Sequence, residues 1–268
     1  MVERIKGTGS IPRKFTAILA LTVMSMSGFA ADNSIYIDQS GDNSTINITQ
    51  DGAGNTVRGL PGIGTSSQTP AKIWGDNNTV TIDQIGSGNM LRFGIDTTTG
   101  GNGTPSIRYS VTGNNADATI KSMNPGSTND SPIIDVQQVG NFAFLNINQT
   151  GAGQNNSITA LQSGGNNNSL TVNQSSDTNA TVSVNQTAGG GNTTTINQSQ
   201  GTNSISLVTV GASNATTINQ TGDNQASINI TGSSNTTSLT QTNVSGGNNI
   251  FNYTGVGSGN SVTVLQNK

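Results

Sequence analysis

After residue 30 the chain alternates apolar and polar positions in short bursts, separated by Gly, Asn and Ser. The clearest run is 167–198. There Asn168-x-Leu170-x-Val172-x-Gln174 is followed by Ala180-x-Val182-x-Val184-x-Gln186 and Asn192-x-Thr194-x-Ile196-x-Gln198, with the Gln residues twelve apart. Residues two apart share one face of an extended strand. Each burst therefore predicts a strand with one aliphatic face, and the small residues between bursts predict turns.

Written as Asn/Ser-x-aliphatic-x-aliphatic-x-Gln-x-Gly, the same phrase opens at Asn33–Gly41 and Ser44–Gly52 and closes at Asn260–Gln266. Weak copies stand at Asn55-x-Val57 and at Ala71-x-Ile73-x-Gly75. With the weak copies counted there are about twenty units, ten to thirteen residues apart. That period with strict alternation predicts an all-β repeat architecture. One short strand cannot bury its apolar face alone. Two per layer give a strand–turn–strand, and stacked layers give a two-sheet parallel β-solenoid of about ten layers, on the order of 50 Å long. All prolines but Pro12 lie between Pro61 and Pro132, so 59–70, 97–105 and 123–132 read as loops inserted at turns of a looser section, 59–132.

The recurrent Gln shares the parity of the aliphatics, so it faces inward. A buried amide is costly without partners. In register, each Gln donates to the Gln of the next layer and accepts from the one before. Candidate ladder residues are Gln39, Asn43, Gln50, Gln84, Gln138, Gln149, Gln162, Gln174, Gln186, Gln198, Gln220, Gln241, Asn260 and Gln266. If strands alternate between two sheets, Gln174 stacks with Gln198, while Gln186 belongs to the opposite ladder. No capping segment is apparent in the pattern, and open sheet edges favour end-to-end polymerisation.

Composition narrows the chemistry. Apolar residues are 30%, charged residues 9% and the net charge −3, a balance that favours self-pairing over charge-driven disorder. There is no Cys and no His, and the one Glu is Glu3. Disulfides, thiolate nucleophiles and imidazole bases are thereby excluded, as are the usual zinc sets. No basic patch suits nucleic acid. No cofactor is expected.

Residues 1–30 have the form of an export signal. Arg4, Lys6, Arg13 and Lys14 precede an apolar run from Phe15 to Met26, and Gly28-Phe29-Ala30 offers a cleavage site after Ala30. The remaining chain has six basic and twelve acidic residues, 6 − 12 = −6. A secreted protein at a bacterial surface is the expectation.

The repeated residues resemble the curlin repeat of curli amyloid subunits, Ser-x5-Gln-x-Gly-x-Gly-Asn-x-Ala-x3-Gln. Asn33–Gln39 with Gly41, Asn43 and Gln50 follows its outline, as does the stretch carrying Gln174, Asn179, Thr181 and Gln186. The resemblance covers essentially all of 31–268 and implies a structural subunit of an extracellular functional-amyloid fibre. Such a fibre serves biofilm matrix, adhesion and surface colonisation. Its implied partners are further copies of the chain, a nucleator subunit and secretion or chaperone proteins. At the C-terminal end Gly255 stands where the family pattern has Gln, while Asn260 and Gln266 match.

Rival readings are weaker on residue grounds. An enzyme of the glycan-cleaving β-helix kind needs clustered carboxylates, whereas Asp38 and Asp83 are outward residues of separate units. Calcium-binding nonapeptide rolls need Gly-Gly-x-Gly-x-Asp, and 189–192 reads Gly-Gly-Gly-Asn. Ice binding wants Thr-x-Thr rows, and these rows mostly read Thr-x-Asn. A monomeric β-solenoid adhesin is the main alternative. Trp74 lies in the irregular section, as packing for a loop or as part of a ligand-contacting surface.

Overall fold

The computed structural model describes residues 18–23, 32–60, 69–96, 105–123, 133–150, 157–175, 178–187, 189–243 and 247–268. The regular secondary structure among them is all strand. The strands fall into two sheets, of thirteen and twelve strands, and every pairing between successive rows is parallel. The molecule is a two-sheet parallel β-solenoid. Consecutive bursts of the sequence alternate between the sheets, so neighbouring rows in one sheet lie two bursts apart.

Sheet I runs through Ile18–Val23, Thr45–Asp51, Thr79–Ile85, Ser110–Thr112, Val136–Val139, Ala160–Ser163, Val184–Thr187, Thr202–Val210, Asn224–Thr231 and Asn249–Val256. Sheet II runs through Ser34–Ile35, Thr56–Gly59, Met90–Asp96, Asp117–Met123, Phe144–Thr150, Ser169–Ser175, Thr193–Ser199, Ala215–Thr221, Thr236–Thr242 and Ser261–Asn267. The first of these strands falls in the segment read as an export signal. Its backbone pairs with the next row from Ile18 opposite Thr45 to Val23 opposite Gln50. The rest of residues 1–30 and the cleavage site after Ala30 lie outside the described residues.

Burial follows the alternation. In Ser169–Ser175 the residues Leu170, Val172 and Gln174 are buried, while Ser169, Thr171, Asn173 and Ser175 reach the surface. The same parity holds in Phe144–Thr150 and Thr193–Ser199. Inward aliphatics of the two sheets merge into one continuous core from Ile46 to Leu239. Burying each Ile, Leu or Val is worth about 1.5–3 kcal/mol, so the core holds the rows in register along its whole length.

The turns explain the Gly that follows Gln50, Gln84, Gln138 and Gln220 by two. Gly86 has φ +114°, and a Cβ there would stand 1.9 Å from the carbonyl oxygen of Gly113, one row on. Only a residue without a side chain lets successive turns stack at the strand spacing of ~4.8 Å.

One expectation needs correcting. The segment 59–70 is not inserted at a turn. Thr56–Gly59 and Ala71–Trp74 lie end to end in a single row of sheet II. Arg58 and Gly59 oppose Arg92 and Phe93, and Lys72 and Ile73 oppose Gly94 and Ile95. The strand breaks off at Gly59 and resumes one register step further along. Gly59 N–H donates to Thr69 C=O at 2.7 Å where the two arms meet. The two weak sequence copies, Asn55-x-Val57 and Ala71-x-Ile73, are halves of one unit. Most of the other two inserted segments, 97–104 and 124–132, lies outside the described residues.

Candidate functional site: the inward amide ladders

Sheet II carries the longest ladder. The Ser122 hydroxyl donates to Gln149 Oε1 at 3.1 Å, and Gln149 Nε2 donates to Gln174 Oε1 at 3.2 Å. The chain of bonds continues Gln174 to Gln198 at 3.0 Å, Gln198 to Gln220 at 3.2 Å, Gln220 to Gln241 at 2.8 Å and Gln241 to Gln266 at 2.6 Å. Gln149, Gln174, Gln198, Gln220 and Gln241 are buried. Gln174 is paired with Gln198, twenty-four residues on, and Gln186 belongs to the other sheet. Along the ladder each amide inside the row gives one hydrogen bond and receives one, and Gln198 and Gln241 also donate to backbone carbonyls, which offsets most of the desolvation cost of burial.

Sheet I carries a broken ladder. Gln50 Nε2 donates to Gln84 Oε1 at 2.8 Å. The next row puts Val111 in the slot, opposite both Gln84 and Gln138. The missing donor comes instead from Tyr109, whose hydroxyl donates to Gln138 Oε1 at 3.3 Å. Tyr109 is wholly enclosed, and burial pushes its phenol well above the ordinary tyrosine range, with a smaller push from Asp117. Gln138 Nε2 then donates to Gln162 Oε1 at 2.8 Å. Gln186 is aligned between Gln162 and Thr209, but both of its amide atoms are buried without a partner. The slot continues as Thr209, Ile230 and Gly255.

Two of the candidate residues take other places. Gln39 is exposed at the first row of sheet II, where the slot continues as Ile73, Ile95 and Ser122. It donates to Gly41 C=O at 3.3 Å and Ser44 Oγ at 2.7 Å, within its own turn. Asn43 sits in that turn at φ 63° and donates to Asn77 Oδ1 at 3.3 Å, outside the inward row. Asn is among the few residues that tolerate this left-handed conformation.

A second amide ladder lies at the corner where each turn enters sheet II. Asn33, Asn55 and Asn89 form its first part, and Asn168, Asn192, Asn214, Asn235 and Asn260 the second. Ala116 and Ala143 interrupt it. Asn214 is typical. Its Oδ1 accepts from Asn235 N–H at 3.0 Å, and its Nδ2 donates to the turn carbonyl of Gly232 at 2.9 Å. Asn55 does the same toward Asn89 N–H (3.0 Å) and Gly86 C=O (2.8 Å). Asn33, Asn55, Asn89, Asn192, Asn214 and Asn235 thus hold the turn of the following row, and the ladder has a direction. The recurrence of Asn in the first template slot was the sequence signal for it. Among the candidates only Asn260 belongs to this set, and its backbone N–H donates to Asn235 Oδ1 at 2.9 Å.

The last rows are the open end of both ladders. Asn249–Val256 and Ser261–Asn267 have no neighbouring strand on their far side among the described residues. Their inward residues Phe251, Tyr253, Val262 and Val264 are only partly covered. Exposed Ile250, Val256 and Leu265 lie beside them. The Phe251 and Tyr253 rings stack at 6.2 Å between centroids. Gln266 Nε2 makes a long bond of 3.4 Å back to Ile250 C=O.

The outer faces differ along the axis. On sheet II, Asn173 donates to Asn197 and Asn197 to Asn219, each at 2.8 Å. Nearer the first rows the same face holds Arg58, Lys72, Arg92 and Lys121. There Arg92 pairs with Asp117, and Lys72 Nζ lies 4.1 Å from the centre of the Trp74 ring. Among the described residues no three Asp or Glu gather as a metal site would need.

The arrangement defines a class by architecture, a parallel β-solenoid with internal amide ladders whose last rows have no further strand beside them among the described residues. No protein-family model, curated protein or solved structure matches the chain.

Proposed function

We propose that this chain is a structural subunit of an extracellular curli-like amyloid fibre, made by end-to-end stacking of solenoids. The fibre would serve biofilm matrix, adhesion and surface colonisation. The observation that carries the reading is the open end of the sheet II ladder. Gln266 and Asn260 present the same amides as the four preceding rows of sheet II, with no further row among the described residues to receive them. An uncharged, flat, in-register edge is a template for another strand, and a second copy offers the matching row at Ser34–Ser40, and at Thr45–Asp51 once the segment read as an export signal, whose Ile18–Val23 covers it here, is removed. Further copies of the chain are the main partner. A nucleator and secretion factors follow from the curlin resemblance.

Val264→Asp tests the reading. The change puts a charge into the inward row of the last strand, which is half-covered in the free chain and would be fully buried on docking. Its rows should form as before, while growth on seeds should slow by more than tenfold in a thioflavin assay. Growth at the parental rate contradicts end-to-end docking through this strand.

A monomeric surface-binding solenoid is the second reading. It is favoured by the concentration of charge and aromatic surface around Lys72, Trp74, Arg92 and Asp117 on one outer face.

A further inference from the structure

On the outer face of sheet II, three successive rows and one loop residue line an open groove of about 400 Å³. Thr119, Lys121 and Met123 come from one row, Asn146 and Asn148 from the next, and Asn173 from the third. Leu60 forms a wall. It stands just past the point where the chain leaves its row, and it packs over Gly94, where a Cβ would come within 2.8 Å of the Leu60 side chain. The groove therefore exists because 59–70 interrupts a strand and brings an aliphatic residue over an otherwise flat face.

Its lining is chemically mixed. Lys121 has no ion-pair partner among the described residues, whereas Arg92, one row away, is matched by Asp117. The surface amide row starts at the groove, since Asn173 donates to Asn197. Asn148, opposite Asn173 in register, stands outside that row. Its Oδ1 is enclosed without a donor, so turning the amide into the groove breaks no hydrogen bond made by that oxygen. An amide both donates and accepts, which suits a ligand rich in hydroxyls. One free ammonium suits one carboxylate. Leu60 and Met123 offer apolar contact for the face of a ring. The volume falls within the range of small-molecule sites, ~300–1,000 Å³.

We propose that this groove binds a carboxylated sugar residue of an acidic polysaccharide. Lys121 takes the carboxylate, Asn146, Asn148 and Asn173 take ring hydroxyls, and Leu60 with Met123 covers one ring face. Nucleic acid is disfavoured, because it needs many phosphate contacts and the chain from residue 31 has twelve acidic residues against six basic. The proposal stands whether or not the chain polymerises.

The test is equilibrium dialysis of the full chain, monomer or fibre, against fluorescent trigalacturonate, with its methyl ester as the uncharged control. Lys121→Gln removes the carboxylate contact. Deletion of 59–70 removes the Leu60 wall, and Arg108→Gln removes a charge from the opposite sheet. The proposal expects the acid to be retained at least tenfold more strongly than the ester. Lys121→Gln and the deletion should each lose about tenfold, and Arg108→Gln should lose nothing. Lys121→Gln and Arg108→Gln proteins with unchanged melting show that the loss is not unfolding. Equal retention of acid and ester overturns the proposal. So does an equal loss in Lys121→Gln and Arg108→Gln, which marks general charge attraction. Absence of retention at millimolar ligand overturns it too.

Discussion

A glutamine in the middle of a ladder is worth more than the one bond it makes. Gln198 receives from Gln174 and gives to Gln220. Replacing it with Leu keeps the row filled but strands a donor on one side and an acceptor on the other. Each stranded buried group costs ~1–3 kcal/mol. Gln198→Leu should therefore lower stability by about 2–5 kcal/mol in denaturant unfolding, whereas Gln266→Leu at the open end should cost under about 1 kcal/mol. Equal effects would mean that the amides are not coupled. Tyr109 carries the same logic with a pH signature. Its phenol is held above its ordinary value near 10 by burial. The folded state therefore keeps a proton that the unfolded state gives up. Its stabilisation is complete below about pH 10 and is lost as the pH rises above that. Tyr109→Phe should remove this alkaline loss in melts between pH 9 and 11. At neutral pH it should cost about 1–3 kcal/mol, because Gln138 Oε1 loses its donor. The Gln slots were legible in the sequence because they recur at fixed parity. Tyr109 was not, since it sits in an aliphatic slot and reaches its Gln only across the row spacing. The clamp of Asn214 on Gly232 was half legible. Its slot recurs, but its partner lies in the next row.

At the scale of the strand and turn, alternation gave the strands, their inward faces and their parallel stacking. The row broken at Gly59 shows where such reading stops. The insertion 59–70 is twelve residues long, the same as the interval between bursts, so two halves of one strand look like two units. Periodicity along the chain cannot see an excursion that returns to the same row. Deleting 59–70 joins Arg58 to Ala71 and yields Asn55-x-Val57-x-Ala71-x-Ile73-x-Gly75, a full-length copy of the template with Ile73 in the Gln slot. This variant should fold with its melting temperature within a few degrees of the parent, and β-sheet circular dichroism checks it. Collapse of the fold would place the insertion elsewhere than inside a row. The turns are less forgiving. Gly86→Ala puts a methyl group against the Gly113 carbonyl at a positive φ. It should cost at least about 3 kcal/mol, read by denaturant unfolding.

For the whole molecule, the ladders and the core run along one axis, and in sheet II the last row keeps the inward alternation and the Gln slot, changing in exposure. Ser261–Asn267 has the same alternation as Thr236–Thr242, with its inward face half open. Asn260 and Gln266 continue rows that began far inside the chain. On the proposed reading a solenoid of this kind would add copies by the interaction that already joins its own rows, so that assembly and folding would share one register. The direct measurement is growth of residues 31–268 after dilution from denaturant at tens of micromolar, an order of magnitude at which exposed strand edges associate. It should be followed by thioflavin fluorescence and by fibre diffraction. The account predicts a lag, seeded elongation and a meridional spacing of ~4.7–4.9 Å. A soluble monomer that stays folded and never elongates, even on seeds, would contradict it.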